Sequence, residues 1–218
     1  RRSAAIISLV SLVRAKTTLE RELPAIVEAI LRPLDPSVPS LREGCLQAST
    51  LALRELVKRY AMAAFHQTTQ RLAIGTTAGV IIIYDLRTAT KWRILQGHDG
   101  AVSAVAFAAG GDLVASYSAS DSTLRWWQAG SSSLLGYFGL HGHCQKVLKV
   151  TLPAEDGTKD SDGAASGTDG SATVGVATRT GSPNNAAGRG IPIRLEWTSP
   201  STVMLLGGQG KPLGFYTL

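Results

Sequence analysis

The spacing of hydrophobic residues along this chain changes near residue 60. Before that point, apolar side chains recur every three or four positions, as in Ile6, Leu9, Val10 and Val13. This spacing places them on one face of an α-helix. Beyond residue 60, short runs that alternate apolar and polar residues are separated by turn-forming residues, a pattern typical of β-strands. The pattern predicts helices over residues 1–59 and sheets after them.

Two or three antiparallel helices are predicted within the first 59 residues. The second covers residues 18–31 and contains Pro24, close enough to its start to be tolerated in the first turns or to kink the helix. Prolines at positions 33, 36 and 39 end this segment. A third helix is expected to begin with Ser40 as N-cap and Glu43 as the capping-box partner. Such helices are typical of an α-solenoid or a helical bundle, whose usual role is that of a scaffold.

The most specific motif in the chain occupies residues 96–128, with the sequence Q-G-H-D-G-A-V-S-A-V-A-F-A-A-G-G-D-L-V-A-S-Y-S-A-S-D-S-T-L-R-W-W-Q. It resembles a WD-type repeat, which forms one blade of a β-propeller. In such repeats a loop His, a strand Ser, a turn Asp and a Trp indole form a buried hydrogen-bond chain. The residues at those positions here are His98, Ser116, Asp121 and Trp127.

A preceding four-stranded blade is predicted from residues 60–65, 71–76, 80–84 and 91–96. Tyr84 and Asp85 stand where Trp-Asp often stands in a WD repeat, but Ala78 replaces the turn Asp and Ile74 replaces the strand Ser. Hydrophobic packing is therefore expected to hold this blade together.

The second blade is predicted to use residues 101–107, 113–118 and 123–128 as its inner strands. Two segments compete for its outer strand, residues 134–140 and residues 145–152. The alternation in 145–152 favours the second, which leaves residues 129–144 as a loop.

Residues 153–190 consist almost entirely of Gly, Ser, Ala, Thr and Asp. This composition buries too little apolar area to offset chain entropy, so a disordered insertion is expected. Three further strands are predicted at 191–197, 202–206 and 213–218. A blade with three strands is often completed in closed propellers by a strand from the N-terminal region.

The predicted fold class is α plus all-β: a helical solenoid segment (1–59), two propeller blades (60–152), a disordered Gly/Ser-rich insertion (153–190) and a final three-stranded blade (191–218). A complete propeller typically needs four to eight blades of roughly forty residues each. We therefore expect the chain to be the C-terminal piece of a longer polypeptide that supplies the other blades.

Net charge and cysteine content argue against some classes of function and indicate a cellular compartment. The net charge is +6, but only 17% of the residues are charged and no basic run is interleaved with aromatics, so nucleic-acid binding is disfavoured. Cys45 and Cys144 fall in different predicted domains, which favours a reducing compartment without disulfides. The apolar segment 4–13 is about half the length needed to cross a bilayer and is interpreted as a buried helix.

The candidate chemical motifs favour structural interpretations. His141, His143 and Cys144 lack a second ligand pair at zinc-site spacing. Ser116, Ser118 and Ser120 near Asp121 lack a nucleophile elbow and a His outside the blade network. The glycines at 207–210 before Lys211 lead into no helix, which favours a hairpin turn. Trp92, Trp126 and Trp197 are interpreted as blade packing. No enzyme activity, metal or cofactor is expected.

Four segments together resemble the C-terminal region of the beta subunit of rabconnectin, a large WD-repeat family with helical solenoid beside its propellers. They are R-P-L-D-P-S-V-P-S-L-R-E (32–43), F-H-Q-T-T-Q-R-L-A-I-G-T-T-A-G-V-I-I-I-Y-D-L-R-T-A-T (65–90), L-Q-G-H-D-G-A-V-S-A-V-A-F (95–107) and L-E-W-T-S-P-S-T-V-M-L-L (195–206). The long low-complexity segment 153–190 departs from the resemblance, which identifies no contact residues.

The resemblance implies a non-catalytic regulator of the vacuolar proton pump, the V-ATPase. Its implied partners are V-ATPase subunits, a rabconnectin alpha-type protein and regulators of a Rab GTPase. It also implies a cytoplasmic protein that associates indirectly with endosomal, vacuolar or secretory vesicle membranes. The alternative is a WD-repeat adaptor of a ubiquitin ligase or vesicle coat that recognises peptide motifs.

Overall fold

The computed structural model describes residues 2–15, 19–130, 143–150 and 193–218. Its helical part consists of α1 (Arg2–Ala15), α2 (Leu23–Leu31) and α3 (Pro39–Arg59), with a short 3-10 helix at Arg32–Leu34. Ile6, Val10 and Val13 are buried, as the helical spacing predicts. Among the helices of these residues, none combines the length and apolarity needed to cross a bilayer.

Two prolines set where helices begin, and both starts differ from the prediction. Helix α2 begins at Leu23 rather than at residue 18, because Pro24 is accommodated only in the first turn. Helix α3 begins at Pro39, with Val38 at the N-cap and no side-chain cap bond. The predicted N-cap Ser40 is therefore wrong, since a proline at the first helical position moves the start before it.

The strands of the described residues form three antiparallel sheets. The first blade has the order β1 (Ala63–His66), β2 (Arg71–Gly75), β3 (Val80–Asp85) and β4 (Thr90–Gln96). The second blade has the order β5 (Ala104–Phe107), β6 (Leu113–Ser118), β7 (Thr123–Gln128) and β8 (His143–Lys149). The third blade consists of β9 (Arg194–Trp197), β10 (Thr202–Leu206) and β11 (Pro212–Thr217).

Strand boundaries shift where a neighbouring element competes for the backbone. The first strand begins at Ala63, not at residue 60, because the N–H of Tyr60 still bonds to the Leu56 carbonyl at the end of α3. The outer strand of the second blade comes from the favoured segment but starts earlier, at His143. The other candidate, residues 134–140, and the insertion 153–190 lie outside the described residues.

Within the part of the chain that the structure describes, the helices and the three blades form four layers with three hydrophobic cores between them. Helices pack on one face of the first blade through Leu72, Ile74 and Tyr84. The other face of that blade packs on the second blade through residues such as Ala73 and Ile83. The second blade in turn packs on the third. The helices therefore cover the face of the first blade that points away from the second.

A polar contact also joins the helices to the first blade. The Tyr84 hydroxyl donates to Glu28 Oε1 at 3.3 Å, and Lys91 Nζ lies 2.9 Å from the same oxygen. Burial and the nearby Glu28 carboxylate raise the pKa of Tyr84 far above its ordinary value. The hydroxyl therefore stays protonated and acts as a donor.

Side chains and main-chain groups tie neighbouring blades together at the first strand of each sheet. His66 Nε2 lies 3.0 Å from the Ala109 carbonyl oxygen, and Trp197 Nε1 donates to the Ala106 carbonyl at 3.2 Å. The Val105 N–H donates to the Ala61 carbonyl at 3.0 Å. These bonds hold the sheets in register around β5.

Candidate functional site

The four predicted network residues come from three elements of the second blade and the loop before it. His98 lies in the connection between β4 and β5, Ser116 on β6, Asp121 in the β6–β7 turn and Trp127 on β7. Pairing of β6 with β7 sets Ser116 close to Trp127, which is opposite Val114. The structure brings all four side chains together.

Their polar atoms form a continuous hydrogen-bond chain. Trp127 Nε1 donates to Ser116 Oγ at 2.8 Å, and Ser116 Oγ lies 2.8 Å from His98 Nε2. His98 Nδ1 lies 3.0 Å from Asp121 Oδ2. An indole only donates and a carboxylate only accepts, so the bonds can run from Trp127 through the Ser116 hydroxyl to a His98 that carries its proton on Nδ1 and donates it to Asp121. Burial favours this neutral form of His98.

Asp121 is the acceptor at which the chain ends, and it also organises its own turn. Its Oδ2 accepts from the Asp99 N–H at 3.0 Å. Its Oδ1 accepts from the Thr123 N–H at 2.9 Å and from the Thr123 hydroxyl at 2.7 Å. Thr123 Oγ1 also lies 3.0 Å from His98 Nδ1. Thr123 is a fifth member that sequence reasoning missed, although an Asp two positions before a Thr is a turn-forming pattern.

Burial and hydrogen bonding move the pKa values of the two titratable members. Burial lowers the pKa of His98, although the hydrogen bond and charge of Asp121 oppose the shift. Burial raises the pKa of Asp121, but hydrogen bonds from Thr123, Asp99 and His98 outweigh it and bring that pKa to about 2. At neutral pH the network therefore holds a neutral imidazole beside an ionised carboxylate.

The order Ser116, His98, Asp121 is that of a hydroxyl, an imidazole and a carboxylate, as in acyl-transfer enzymes. Ser116 is 0% exposed, so a substrate carbonyl cannot reach its oxygen. Of the other serines, Ser118 is fully buried and Ser120 is exposed in the turn. The geometry therefore supports a structural hydrogen-bond network within the blade rather than a catalytic nucleophile.

The first blade has no equivalent chain among its described side chains. Ile74 is 0% exposed and packs in the helix–blade core, and Ala78 sits exposed in the β2–β3 turn. Asp85 instead accepts from Arg87 at 3.3 and 3.2 Å within its own turn. Apolar packing from both sides holds this blade.

The sequence segment that contains the hydrogen-bond chain is similar to a known protein family. Over residues 90–128 the sequence matches the WD domain, G-beta repeat family. Residues 90–128 are thus similar to a WD repeat over 39 residues of the chain. The WD repeat comprises β4 of the first blade and β5 to β7 of the second, so one sequence unit contributes to two sheets. The antiparallel sheets and the WD repeat together fit part of a β-propeller with a few helices added.

Solved structures with similar arrangements are distant in sequence. Kluyveromyces lactis Hsv2 is 10% identical, with a TM-score of 0.42 over 68% of this chain and 38% of that one. A chain of a mitotic checkpoint complex is 16% identical, with a TM-score of 0.38 over 73% and 40%. The RRP9 WD40 repeats are 23% identical, with a TM-score of 0.32 over 39% and 23%. The chain thus spans less than half of each.

The remaining candidate motifs are placed as follows. His143 and Cys144 begin β8, and His141 lies outside the described residues. Cys144 Sγ lies 3.5 Å from the Lys146 carbonyl oxygen, and burial raises the pKa of the Cys144 thiol. Gly208–Gly210 form a 3-10 turn between the antiparallel strands β10 and β11, which agrees with the predicted hairpin. Trp92 packs between the blades, as expected, and its ring also contacts two guanidinium groups.

Proposed function

We propose that this chain is a non-catalytic scaffold that binds the V-ATPase and a rabconnectin alpha-type partner, and so promotes pump assembly and organelle acidification. A WD repeat indicates a protein-interaction scaffold, and that part rests on the family match. The pump-specific part is supported by the sequence resemblance at the helix-to-blade junction and in the final blade.

The direct packing of the helices on the first blade is the observation that carries the proposal. The three helices and the first blade share one core, in which Leu23, Leu56 and Leu72 are each 0% exposed. A shared core of this kind resists relative motion of its layers. Partners bound to the helices and to the blades would therefore be held at a fixed separation, which is what an assembly factor requires.

The proposal places the protein in the cytoplasm, at endosomal, vacuolar or secretory vesicle membranes. Association with the membrane is indirect, through the pump and the alpha-type partner. Regulators of a Rab GTPase are further proposed partners. The buried, mutually bonded side chains of the WD repeat supply stability to this platform rather than chemistry.

The first test is affinity purification of the tagged protein from native membranes and cytosol, followed by mass spectrometry. We expect soluble-sector V-ATPase subunits and a rabconnectin alpha-type protein to copurify. Recovery of ubiquitin-ligase or coat subunits without pump subunits would contradict the proposal and favour the adaptor alternative.

A second test measures vesicle acidification and pump assembly in cells that lack this region. We expect both to fall and to be restored by the intact chain. Normal acidification and normal association of the two pump sectors in the deletion cells would count against an assembly role.

A further inference from the structure

Trp92, on β4, has two guanidinium groups against its indole ring. Arg71 Cζ lies 3.3 Å from the ring centroid and Arg93 Cζ lies 4.7 Å from it. The two guanidinium carbons therefore lie within about 8 Å of each other. Stacking on an aromatic ring uses the face of a guanidinium and leaves its in-plane N–H donors available.

Those donors have no acceptor among the described residues. Arg93 is only 8% exposed, yet its Nε and that of Arg71 are buried without a hydrogen-bond partner. The terminal nitrogens of both groups also make no hydrogen bond to any residue that the structure describes, but they are not enclosed and therefore contact solvent. A buried guanidinium with unused donors is costly unless an acceptor satisfies it.

The local charge balance is positive. Besides Arg93, the charged groups that act on Arg71 are Asp85 and Arg87. Arg87 already pairs with Asp85, at 3.2 Å. Arg71, Arg87 and Arg93 therefore share the single carboxylate of Asp85, which leaves an excess of two positive charges among these four groups.

We propose that Arg71 and Arg93, held on Trp92, bind a phosphate group carried by a phosphorylated side chain of a partner protein. A phosphate monoester carries about −1.5 to −2 charges at neutral pH, which matches two uncompensated cations better than one carboxylate does. Its oxygens suit the forked donors of arginine. The inference goes beyond the scaffold function and does not depend on the pump.

The same surface is poorly suited to a membrane. Binding to a lipid surface usually combines basic groups with apolar side chains that enter the bilayer. Trp92 is packed in the core between the first and second blades. The large exposed apolar side chains of the described residues, such as Ile7 and Phe215, belong to other elements. A protein-borne phosphate is therefore the favoured ligand.

The test titrates the full chain into a fluorescein-labelled peptide with one phosphoserine flanked by glycines, and into its unphosphorylated twin, and follows polarisation. We expect at least tenfold tighter binding of the phosphorylated peptide, weakened by added salt. Arg71→Gln and Arg93→Gln should each weaken it at least tenfold. Arg54→Gln, which removes an exposed arginine from α3, should leave it unchanged.

Arg71→Lys keeps the positive charge but removes the paired N–H donors of the guanidinium, so it is expected to weaken binding several-fold. Arg71 is only partly buried. If Arg93→Gln lowers thermal stability, the Arg71 variants therefore provide the decisive comparison. Equal binding of the two peptides, or unchanged affinity in the Arg71 variants, would overturn the proposal. Tighter binding of inorganic phosphate than of the peptide, or preferred binding to phosphatidylserine vesicles, would overturn the assignment to a protein.

Discussion

Ser116 and Ser118 are two residues apart on β6 and both are 0% exposed, yet their hydroxyls have opposite surroundings. Ser116 Oγ accepts from the Trp127 indole and bonds to His98. Ser118 Oγ is buried without a partner among the described residues. Burial alone therefore says little about what a buried serine contributes, and the two positions form a natural pair for experiment.

Ser116→Ala should lower the free energy of unfolding by about 2–4 kcal/mol, because it leaves the Trp127 N–H and His98 Nε2 unpaired. Ser118→Ala should leave it unchanged or raise it by up to about 1 kcal/mol, because it removes a hydroxyl that already lacks a bond. Urea denaturation of both variants measures the difference. Equal losses would show that the hydrogen-bond chain does not stabilise the blade.

Trp127→Ala is expected to destabilise the second blade by about 3–5 kcal/mol through lost burial and a lost donor to Ser116. The neighbouring Trp126 is equally buried, but its Nε1 has no partner among the described residues. Trp126→Phe should therefore cost less than Trp127→Phe in thermal denaturation. A melting curve for Trp127→Ala that matches the parent would contradict the assigned register.

Acid should weaken the fold in two steps. His98 has a lowered pKa in the folded state, so the unfolded chain binds its proton first and stability falls as the pH drops below about 6.5. Asp121, with a folded pKa of about 2, contributes about 2 kcal/mol that is lost as the pH falls from about 4 toward 2. Denaturant titrations across this range measure both steps. Asp121→Asn should remove the loss of stability between about pH 4 and pH 2. An unchanged pH dependence of the unfolding free energy in that range would exclude Asp121 as its source.

The four residues of the chain could be named from sequence because each occupies a position fixed by the repeat. Thr123 was not predicted, because a threonine at the start of a strand is typical of any β-strand, and only the Asp two positions before it indicates that its hydroxyl bonds within the turn. The contacts of Trp92 were also missed, because they join β2 to β4 and depend on how two arginines from different strands converge.

At the level of elements, the β2–β3 turn of the first blade supports the loop that carries His98. Gly79 in this turn has a φ of +77°, and a Cβ there would overlap the His98 carbonyl oxygen. The turn and the His98 loop are therefore packed backbone against backbone, which only glycine permits.

Gly79→Ala should reduce the free energy of unfolding by at least about 1–2 kcal/mol from the left-handed backbone alone, with the clash adding to it. Gly44→Ala is the matched control, because Gly44 lies in α3 and a methyl group added there would meet no atom within 4 Å. That change should raise stability by about 0.5–1 kcal/mol through helix propensity. Thermal denaturation distinguishes the two, and similar shifts would argue against a close contact at His98.

The ends of elements were harder to predict than their existence. Strands β6, β7 and β10 have the predicted bounds, because turns rich in glycine or polar residues flank them. Strand β1 and helix α3 compete for residues 60–62, where periodicity favours neither and tertiary packing decides. The Ser40 capping box failed for a local reason, since Pro39 had already started the helix.

For the whole molecule, the helices and blades form consecutive layers with shared cores, so they should unfold together. All four tryptophans lie at positions 92, 126, 127 and 197, in strands of the blades, while the helices have none. Tryptophan fluorescence therefore reports on the blades, and far-UV circular dichroism reports mainly on the helices.

We expect the two signals to give coincident denaturation curves. Leu72→Ala, at a fully buried position between helices and first blade, should shift both curves together by about 2–5 kcal/mol. Helices that melt first while the fluorescence transition stays in place would show that the blades fold independently of them.

The offset between the WD repeat and the sheets bears on how such a protein gains or loses blades. The repeat at residues 90–128 begins with the outer strand of one sheet and ends with the third strand of the next. Excising this unit would delete β4 to β7 and leave β3 followed in the chain by β8, another outer strand. The remaining strands could then reunite as one complete sheet. Duplication works in reverse, so recombination between repeats changes the blade number without leaving an incomplete sheet behind.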